Sequence, residues 1–217
     1  MDSKELIARR VACEVKPGSL VNLGIGLPSM VANYVSPSLG VFFQAENGVI
    51  GLGARPPEGM EDRHLTDAGG GFITAVPGAA SIDSAMSFGL IRGGHLDMTV
   101  LGGLQVDEEG RLANWMVPGR MIPGMGGAMD LVTGAAKVIV AMQHAAKGQS
   151  KIVSRCSLPL TSIRRVNLVV TDLAVIEPTE HGLLLRERAP GIRVDEIVAS
   201  TEAKLVIPDI VPEMNLA

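Results

Sequence analysis

Aromatic residues are scarce: four Phe, one Tyr and one Trp, 3% of a 217-residue chain. The core must therefore be Val, Leu, Ile, Ala and Met, and the stacking platforms of single-strand nucleic-acid binders have no material. Basic residues are not in excess either. Nineteen Lys and Arg stand against 23 Asp and Glu, a net charge of −4, and the longest cationic cluster is Arg164-Arg165. That leaves no electrostatic footprint for nucleic acid or for an anionic membrane. Cysteine is nearly absent, and Cys13 and Cys156 form no CxxC pair. Neither a disulfide framework nor a zinc site is read from them, and a reducing compartment is expected. Long apolar runs are missing too. The most apolar stretch, residues 71–91, is broken by Pro77, Asp83 and several Ser and Gly, so it does not read as a spanning helix. The N-terminus carries charges where a signal peptide needs an apolar segment. The expectation is a soluble, cytoplasmic protein.

What is present argues for a packed domain. Hydrophobic residues make up 47% and charged residues 19%, which rules out intrinsic disorder. Glycine is plentiful, 26 residues, against a usual share of about 7%. No collagen-like period accompanies it, so it belongs in tight turns and places of close backbone approach. Without an internal repeat, linker or low-complexity tract, the chain reads as one domain over 1–217.

Local patterns give the elements. Leu6, Ile7, Val11, Ala12 and Val15 recur at helical spacing after Asp2 or Ser3, either of which can cap, and Pro17-Gly18 stops that helix. Leu20–Leu23 is a short buried strand, residues 29–35 a helix behind Pro28, and Val41–Phe43 another strand. Residues 51–71 read as loop. Residues 84–90 suggest a short helix, 98–101 a strand, and 102–127 loops with short extended pieces. A helix opening near Asp130 precedes an apolar strand over 137–142. Further strands are expected at 167–171, 173–176, 182–188 and 204–207, with a helix over 195–201. Early alternation of strands and helices, with hairpin-like pairs later, predicts an α/β fold: a mostly parallel central sheet flanked by helices, with antiparallel strands at an edge.

Several segments bear on chemistry. Gly24-x-Gly26 after a strand suggests a dinucleotide loop, but Ser29 breaks the pattern and no acidic residue follows on a second strand end. A tight strand-to-helix turn explains it equally. No P-loop, HExxH or GxSxG motif occurs. His64, His95, His144 and His181 lack the spacing of a metal site and read as surface or hydrogen-bonding residues. Glu46-Asn47-Gly48 is more informative. Asn47-Gly48 is a strong turn signal, and it sets the Glu46 carboxylate at the end of an apolar strand, where open α/β sheets bind ligands. In such a crevice a carboxylate gains nucleophilic character; a solvated glutamate at a surface turn is the plain alternative. In Met125-Gly126-Gly127-Ala128-Met129, small residues leave backbone N–H groups uncovered, suited to an oxyanion or a phosphate, or else to a close turn between packed elements.

These segments fall in longer runs. They are Val21-Asn22-Leu23-Gly24-Ile25-Gly26-Leu27-Pro28, then Gln44-Ala45-Glu46-Asn47-Gly48 with Gly51-Leu52-Gly53, Ser87-Phe88, and Ile91-Arg92-Gly93-Gly94-His95. Leu101-Gly102-Gly103-Leu104-Gln105-Val106-Asp107 and Leu112-Ala113-Asn114-Trp115-Met116-Val117-Pro118-Gly119 follow. Pro123-Gly124-Met125-Gly126-Gly127-Ala128-Met129-Asp130-Leu131-Val132 and Cys156-Ser157-Leu158-Pro159-Leu160-Thr161 close the set. In this order they resemble the B-type (β) subunits of the family I, or 3-oxoacid, CoA-transferases, which include acetoacetate and 3-oxoadipate CoA-transferases. The likeness runs from Lys4 to about Ala203. Two positions depart from it: Ala45, where the family often has Ser, and Gln143, where it often has Glu.

The resemblance implies the three-layer α/β CoA-transferase fold, with Glu46 as nucleophile in the turn made by Asn47 and Gly48. It makes Gly126, Gly127 and Ala128 candidates for an oxyanion or CoA loop. It implies a separate A-type subunit in a hetero-oligomer such as A2B2. Coenzyme A enters as substrate, with no permanently bound cofactor and no metal. The expected reaction moves CoA between succinyl-CoA or acetyl-CoA and a 3-oxo or short-chain acid, acetoacetate first, through a glutamyl-CoA thioester. Other acid specificities (3-oxoadipate, butyrate–acetate or glutaconate) are the near alternative. A non-catalytic ligand-sensing domain of related fold is the distant one; it predicts no glutamate in the turn.

Overall fold

The computed structural model describes residues 1–119 and 126–216. The helices are α1 (Ser3–Ala12), α2 (Ser84–Arg92), α3 (Ala128–Gly134) and α4 (Val194–Ser200). The strands begin with β1 (Leu20–Leu23), β2 (Phe42–Ala45), β3 (Val49–Leu52), β4 (Ala75–Ser81) and β5 (Met98–Leu101). Next come β6 (Gln105–Asp107), β7 (Leu112–Ala113), β8 (Lys137–Ala141), β9 (Ala145–Ala146), β10 (Gln149–Ser150) and β11 (Ile152–Val153). The chain closes with β12 (Leu168–Val170), β13 (Ala174–Thr179), β14 (Gly182–Arg188) and β15 (Leu205–Val206).

Ten strands form one sheet in the order β15-β14-β13-β12-β8-β5-β1-β2-β3-β4. Its centre, β12-β8-β5-β1-β2, is parallel throughout. Antiparallel pairs flank it on both sides, β12 with β13 and β13 with β14, and β2 with β3 and β3 with β4. The expected mostly parallel sheet with antiparallel outer strands is what forms. Central parallel strands are covered on both faces, which is why β5 and residues 138–141 of β8 are continuous buried runs.

Two cores sandwich the sheet. On one face Ile7, Ala8 and Val11 of α1 pack with Val21, Val100 and Ile139. On the other, Ile91 of α2, Leu131 of α3 and Ile197 of α4 pack with Leu101, Val138 and Val140. Burying each large aliphatic side chain contributes about 1.5–3 kcal/mol.

Charge fastens α1 to the sheet. Arg10, 5% exposed, donates from Nε and Nη2 to Glu187 of β14 at 2.6 and 2.7 Å, and from Nη1 to Glu14 at 2.8 Å. Glu14 in turn pairs with Lys137 of β8. Burial works against the Arg10 charge, but the bonds and fields of Glu187 and Glu14 outweigh it and raise its pKa. Burial likewise opposes the Glu14 charge, yet Lys137 and Arg10 hold its carboxyl below the usual range.

Some local expectations are corrected. Asp2 occupies the N-cap position of α1 without a side-chain capping bond, and Ser3 lies inside the helix. The helix expected over residues 29–35 is instead part of a 3₁₀ segment, Leu27–Tyr34, with Val35 extended at its end. The loop expected from residue 51 is preceded by β3, and β4 follows it. Gly51 hides β3 from the pattern: it sits at φ +86° where the register with β4 shifts, and a Cβ there would lie 2.9 Å from that of Ala79. β4 contains Pro77 and Gly78, which read as breakers, but it is the edge strand, where a missing N–H is tolerated. Pro123, Gly124 and Met125 lie outside the described residues.

Candidate active site

β2 and β3 are joined by a hairpin whose last pair is Ala45↔Val49, so Glu46-Asn47-Gly48 is the whole turn. Gly48 has φ +118°, and a Cβ on it would fall 2.0 Å from the Ile82 carbonyl oxygen, so only glycine closes the turn here. Each turn residue is tied to the body of the domain. The Asn47 amide donates to the Thr66 carbonyl at 2.8 Å, and the Gly48 carbonyl accepts from the Ile82 N–H at 2.9 Å. The Ser87 hydroxyl of α2 donates to the backbone carbonyl of Glu46 at 2.8 Å.

Held from behind, the half-buried Glu46 side chain reaches the start of α3. The Gly127 N–H donates to Glu46 Oε1 at 2.9 Å, across 81 residues of sequence. β2 lies beside β1 and β5 on its other side, so the connection leaving β5 returns with Gly127 to meet the end of β2. The meeting point is the carboxyl end of the parallel strands, where the strand order reverses between β1 and β5.

Gly127 is glycine for space rather than conformation. Its φ of −86° suits any residue, but a Cβ would come within 2.7 Å of Glu46 Oε2 and 2.8 Å of Cδ. Gly126 is exposed with φ +56°, and a Cβ there would lie 3.5 Å from Oε1, an ordinary contact. Ala128 begins α3, and no hydrogen bond joins it to Glu46. Among the described residues the Glu46 carboxylate takes one hydrogen bond, from a neutral amide, and no ion pair. That leaves its other oxygen lone pairs available for attack on an electrophile. Glu14 and Glu187, by contrast, are occupied by Arg10 and Lys137.

A cavity of about 1060 Å³ opens beside the turn. Leu23, Phe42, Phe43, Val76 and Arg55 line it, and it reaches the turn through buried Ala45, while Glu46 itself is not in its wall. Two further candidate groups, Cys156 and His144, are held away from reaction by burial. Burial pushes the Cys156 thiol up to about 12. His144 is buried between the hydroxyls of Thr171 and Thr201, at 3.0 Å from Nδ1 and 2.9 Å from Nε2. The Thr201 hydroxyl donates to the Ile197 carbonyl at 2.6 Å, so it accepts from Nε2, while the Thr171 hydroxyl lies between Nδ1 and the Ala174 carbonyl, 3.0 and 3.1 Å away. Burial lowers this imidazole to about 4. Among the described residues no three His, Cys, Asp or Glu gather as metal ligands, and no helix is long and apolar enough to cross a membrane.

Of the residues singled out from sequence, Glu46, Asn47, Gly48, Gly126 and Gly127 are brought together. Ser87 belongs with them, although its sequence context assigns it no role. Its only local signal is a small hydroxyl on the buried side of the helix, beside Ile91.

A carboxylate presented at the carboxyl end of a parallel α/β sheet stands where such sheets bind ligands, and comparison with known proteins makes the class specific. The coenzyme A transferase family model matches residues 4–200. The beta chain of the acetate CoA-transferase of Haemophilus influenzae is 53% identical over 218 residues, spanning 100% of this chain and 97% of that protein. The B-type chain of the succinyl-CoA:3-ketoacid coenzyme A transferase of Helicobacter pylori is 51% identical over 205 residues, 94% of this chain and 99% of that one. The crystal structure of the acyl-CoA transferase YdiF from Escherichia coli O157:H7 superposes with a TM-score of 0.79 at 22% identity. It covers 99% of this chain, which spans 43% of that longer one. The chain belongs to the coenzyme A transferase family, and within it to the β, or B-type, subunits. The family and fold expected from the sequence motifs are thereby borne out.

Proposed function

We propose that this chain carries the nucleophile of a two-chain enzyme that moves coenzyme A from succinyl-CoA or acetyl-CoA to a short-chain or 3-oxo acid, acetoacetate first. The relatives' names, acetate and succinyl-CoA:3-ketoacid transferases, support this range of acids. A separate A-type chain completes the site, in an assembly such as A2B2. The observation that carries the reading is the Glu46 carboxylate, fixed through its own carbonyl and met by one backbone N–H.

A Glu46 oxygen attacks the thioester carbon; a C–O bond forms, the C–S bond breaks, and CoA leaves as thiolate. The thiolate then adds to Cδ of the mixed anhydride. Collapse forms the glutamyl–CoA thioester and releases the first acid, which takes away one Glu46 oxygen. The second acid runs these steps in reverse and restores the carboxylate, so the free energy of the thioester is conserved. When the thiolate adds to Cδ, negative charge gathers on the oxygen that the Gly127 N–H already meets. A donor preset there stabilises the charge without rearrangement. Gly126 and Ala128 shape the loop that holds this donor.

The test uses the chain assembled with its A-type partner. Incubation with acyl-CoA followed by borohydride should alter the mass of the peptide bearing Glu46, and Glu46→Gln should abolish both the adduct and turnover. Near-normal turnover by Glu46→Gln would overturn the reading.

A further inference from the structure

Polar side chains are few inside this sheet, and three of them form a row that a fourth, on α2, continues. Thr99 of β5, Asn22 of β1 and Gln44 of β2 are register partners on adjacent parallel strands, so they share one face. Ser87 of α2 covers the end of that row. All four are at most 2% exposed. The Thr99 hydroxyl donates to Asn22 Oδ1 at 3.0 Å. Asn22 Nδ2 donates to the Gln44 carbonyl at 3.1 Å and to Gln44 Oε1 at 2.9 Å. Gln44 Nε2 donates to Ser87 Oγ at 2.9 Å, and Ser87 donates to the Glu46 carbonyl at 2.8 Å.

The direction of this row is fixed by chemistry. The Gln44 carbonyl only accepts, so the Asn22 amide must turn its NH₂ toward it and its oxygen toward Thr99. Asn22 then offers a donor to Gln44 Oε1, which sends the Gln44 NH₂ to Ser87. Ser87 spends its single proton on the Glu46 carbonyl, which also only accepts. Both ends demand the same polarity. Each buried hydrogen bond contributes little net stability, because folding exchanges it for bonds to water. What the polar row adds is a fixed position for the backbone of Glu46.

We propose that Thr99, Asn22, Gln44 and Ser87 are positioning residues for CoA transfer: the row anchors the Glu46 carbonyl and thereby aims its carboxylate at the Gly127 N–H and the incoming acyl group. This rests on Glu46 being the nucleophile. Small misplacements of a reacting group are expensive, on the order of 100-fold for about 1 Å.

The experiment compares Thr99→Val, which keeps shape and loses the hydroxyl, with Thr99→Ser, which keeps the hydroxyl and loses a methyl. Ser87→Ala and Glu46→Gln accompany them, all assembled with the A-type chain. Active sites are counted by the burst of CoA adduct, and kcat per active site, KM and Tm are measured. Ser87→Ala should lower kcat by roughly 10- to 100-fold, and Thr99→Val by roughly 3- to 10-fold, with KM for acyl-CoA little changed. Thr99→Ser should retain near-normal kcat. Equal kcat per site for Thr99→Val and Thr99→Ser would overturn the proposal, as would a loss confined to Tm or KM, and the Thr99 pair decides even where Ser87→Ala fails to assemble. Normal turnover by Glu46→Gln would instead sink the nucleophile reading itself.

Discussion

The two faces of the sheet treat buried polarity in opposite ways. Under α1, Arg10 is locked between Glu187 and Glu14, and Glu14 is shared with Lys137, so every charge is spent on a neighbour. Under α2, the row from Thr99 to Ser87 is neutral throughout and ends on a carbonyl, and the one carboxylate beyond it, Glu46, has no cationic partner among the described residues. Ion pairs fix a helix but consume the reactivity of their carboxylates. A neutral row fixes the backbone and leaves the side chain free to react. The first face holds the fold; under the function proposed above, the second aims the chemistry.

Breaking the charged side should show the largest effect, in stability alone. Arg10→Ala leaves Glu187 and Glu14 partly buried without their shared cation. Removing one partner of a buried pair costs about 3–5 kcal/mol. Denaturant unfolding should show that loss, while kcat per correctly assembled site stays near normal. A kcat loss at unchanged stability would show that the two faces are not separate.

Gly127→Ala probes the reactive side. The new Cβ meets the Glu46 carboxylate, the free end of a side chain, which can swing away. Turnover should fall by about 100-fold, near 3 kcal/mol in the barrier, with Tm barely moved. A collapse in Tm with normal kcat per site would make the glycine purely structural.

How much of this the sequence discloses depends on how local each feature is. β1, β5 and β8 are legible because strands buried on both faces read as largely apolar runs. The turn at Glu46 is legible from Asn47-Gly48. β3 and β4 are obscured by Gly51 and Pro77, whose roles as bulge and edge residue exist only in the assembled sheet. The Glu46–Gly127 contact spans 81 residues, and no spacing rule reaches that far; the family resemblance alone brings those segments together. Asn22, Gln44 and Thr99 look like interruptions in apolar strands until register sets them side by side.

Acid tests a neutral group of the second kind. His144 is buried uncharged, and burial holds its pKa near 4 against an ordinary 6.5. The unfolded chain therefore takes up this proton as pH falls below about 6.5, while the folded chain resists until about 4. Stability from this group is complete above pH 6.5 and drains away between those limits, by roughly 3 kcal/mol or less. His144→Gln should flatten that part of the stability–pH curve. Glu14, whose carboxyl is held below the usual range by Lys137 and Arg10, loses its contribution only as pH falls below about 4.5, so the upper part of the window belongs to His144. An unchanged slope in His144→Gln would exclude this assignment.

The smallest effect belongs to the first turn of α2, which delivers Ser87. Asp83 caps that helix: its side chain accepts from the Met86 N–H at 2.8 Å, and its carbonyl accepts from the Ser87 N–H at 2.9 Å. Losing such a cap costs about 1 kcal/mol. Asp83→Ala should therefore lower stability by that amount. Because Ser87 sits one turn on, kcat should also drop, but by less than in Ser87→Ala, since the hydroxyl remains and only its tether loosens. Asp83→Asn or Asp83→Ser, which keep a capping oxygen, should restore both quantities together. If Asp83→Ala costs the stability and leaves kcat untouched, Ser87 is held by its place in the core rather than by the helix start. The aiming of Glu46 would then begin at Ser87 itself, with α2 contributing only the scaffold.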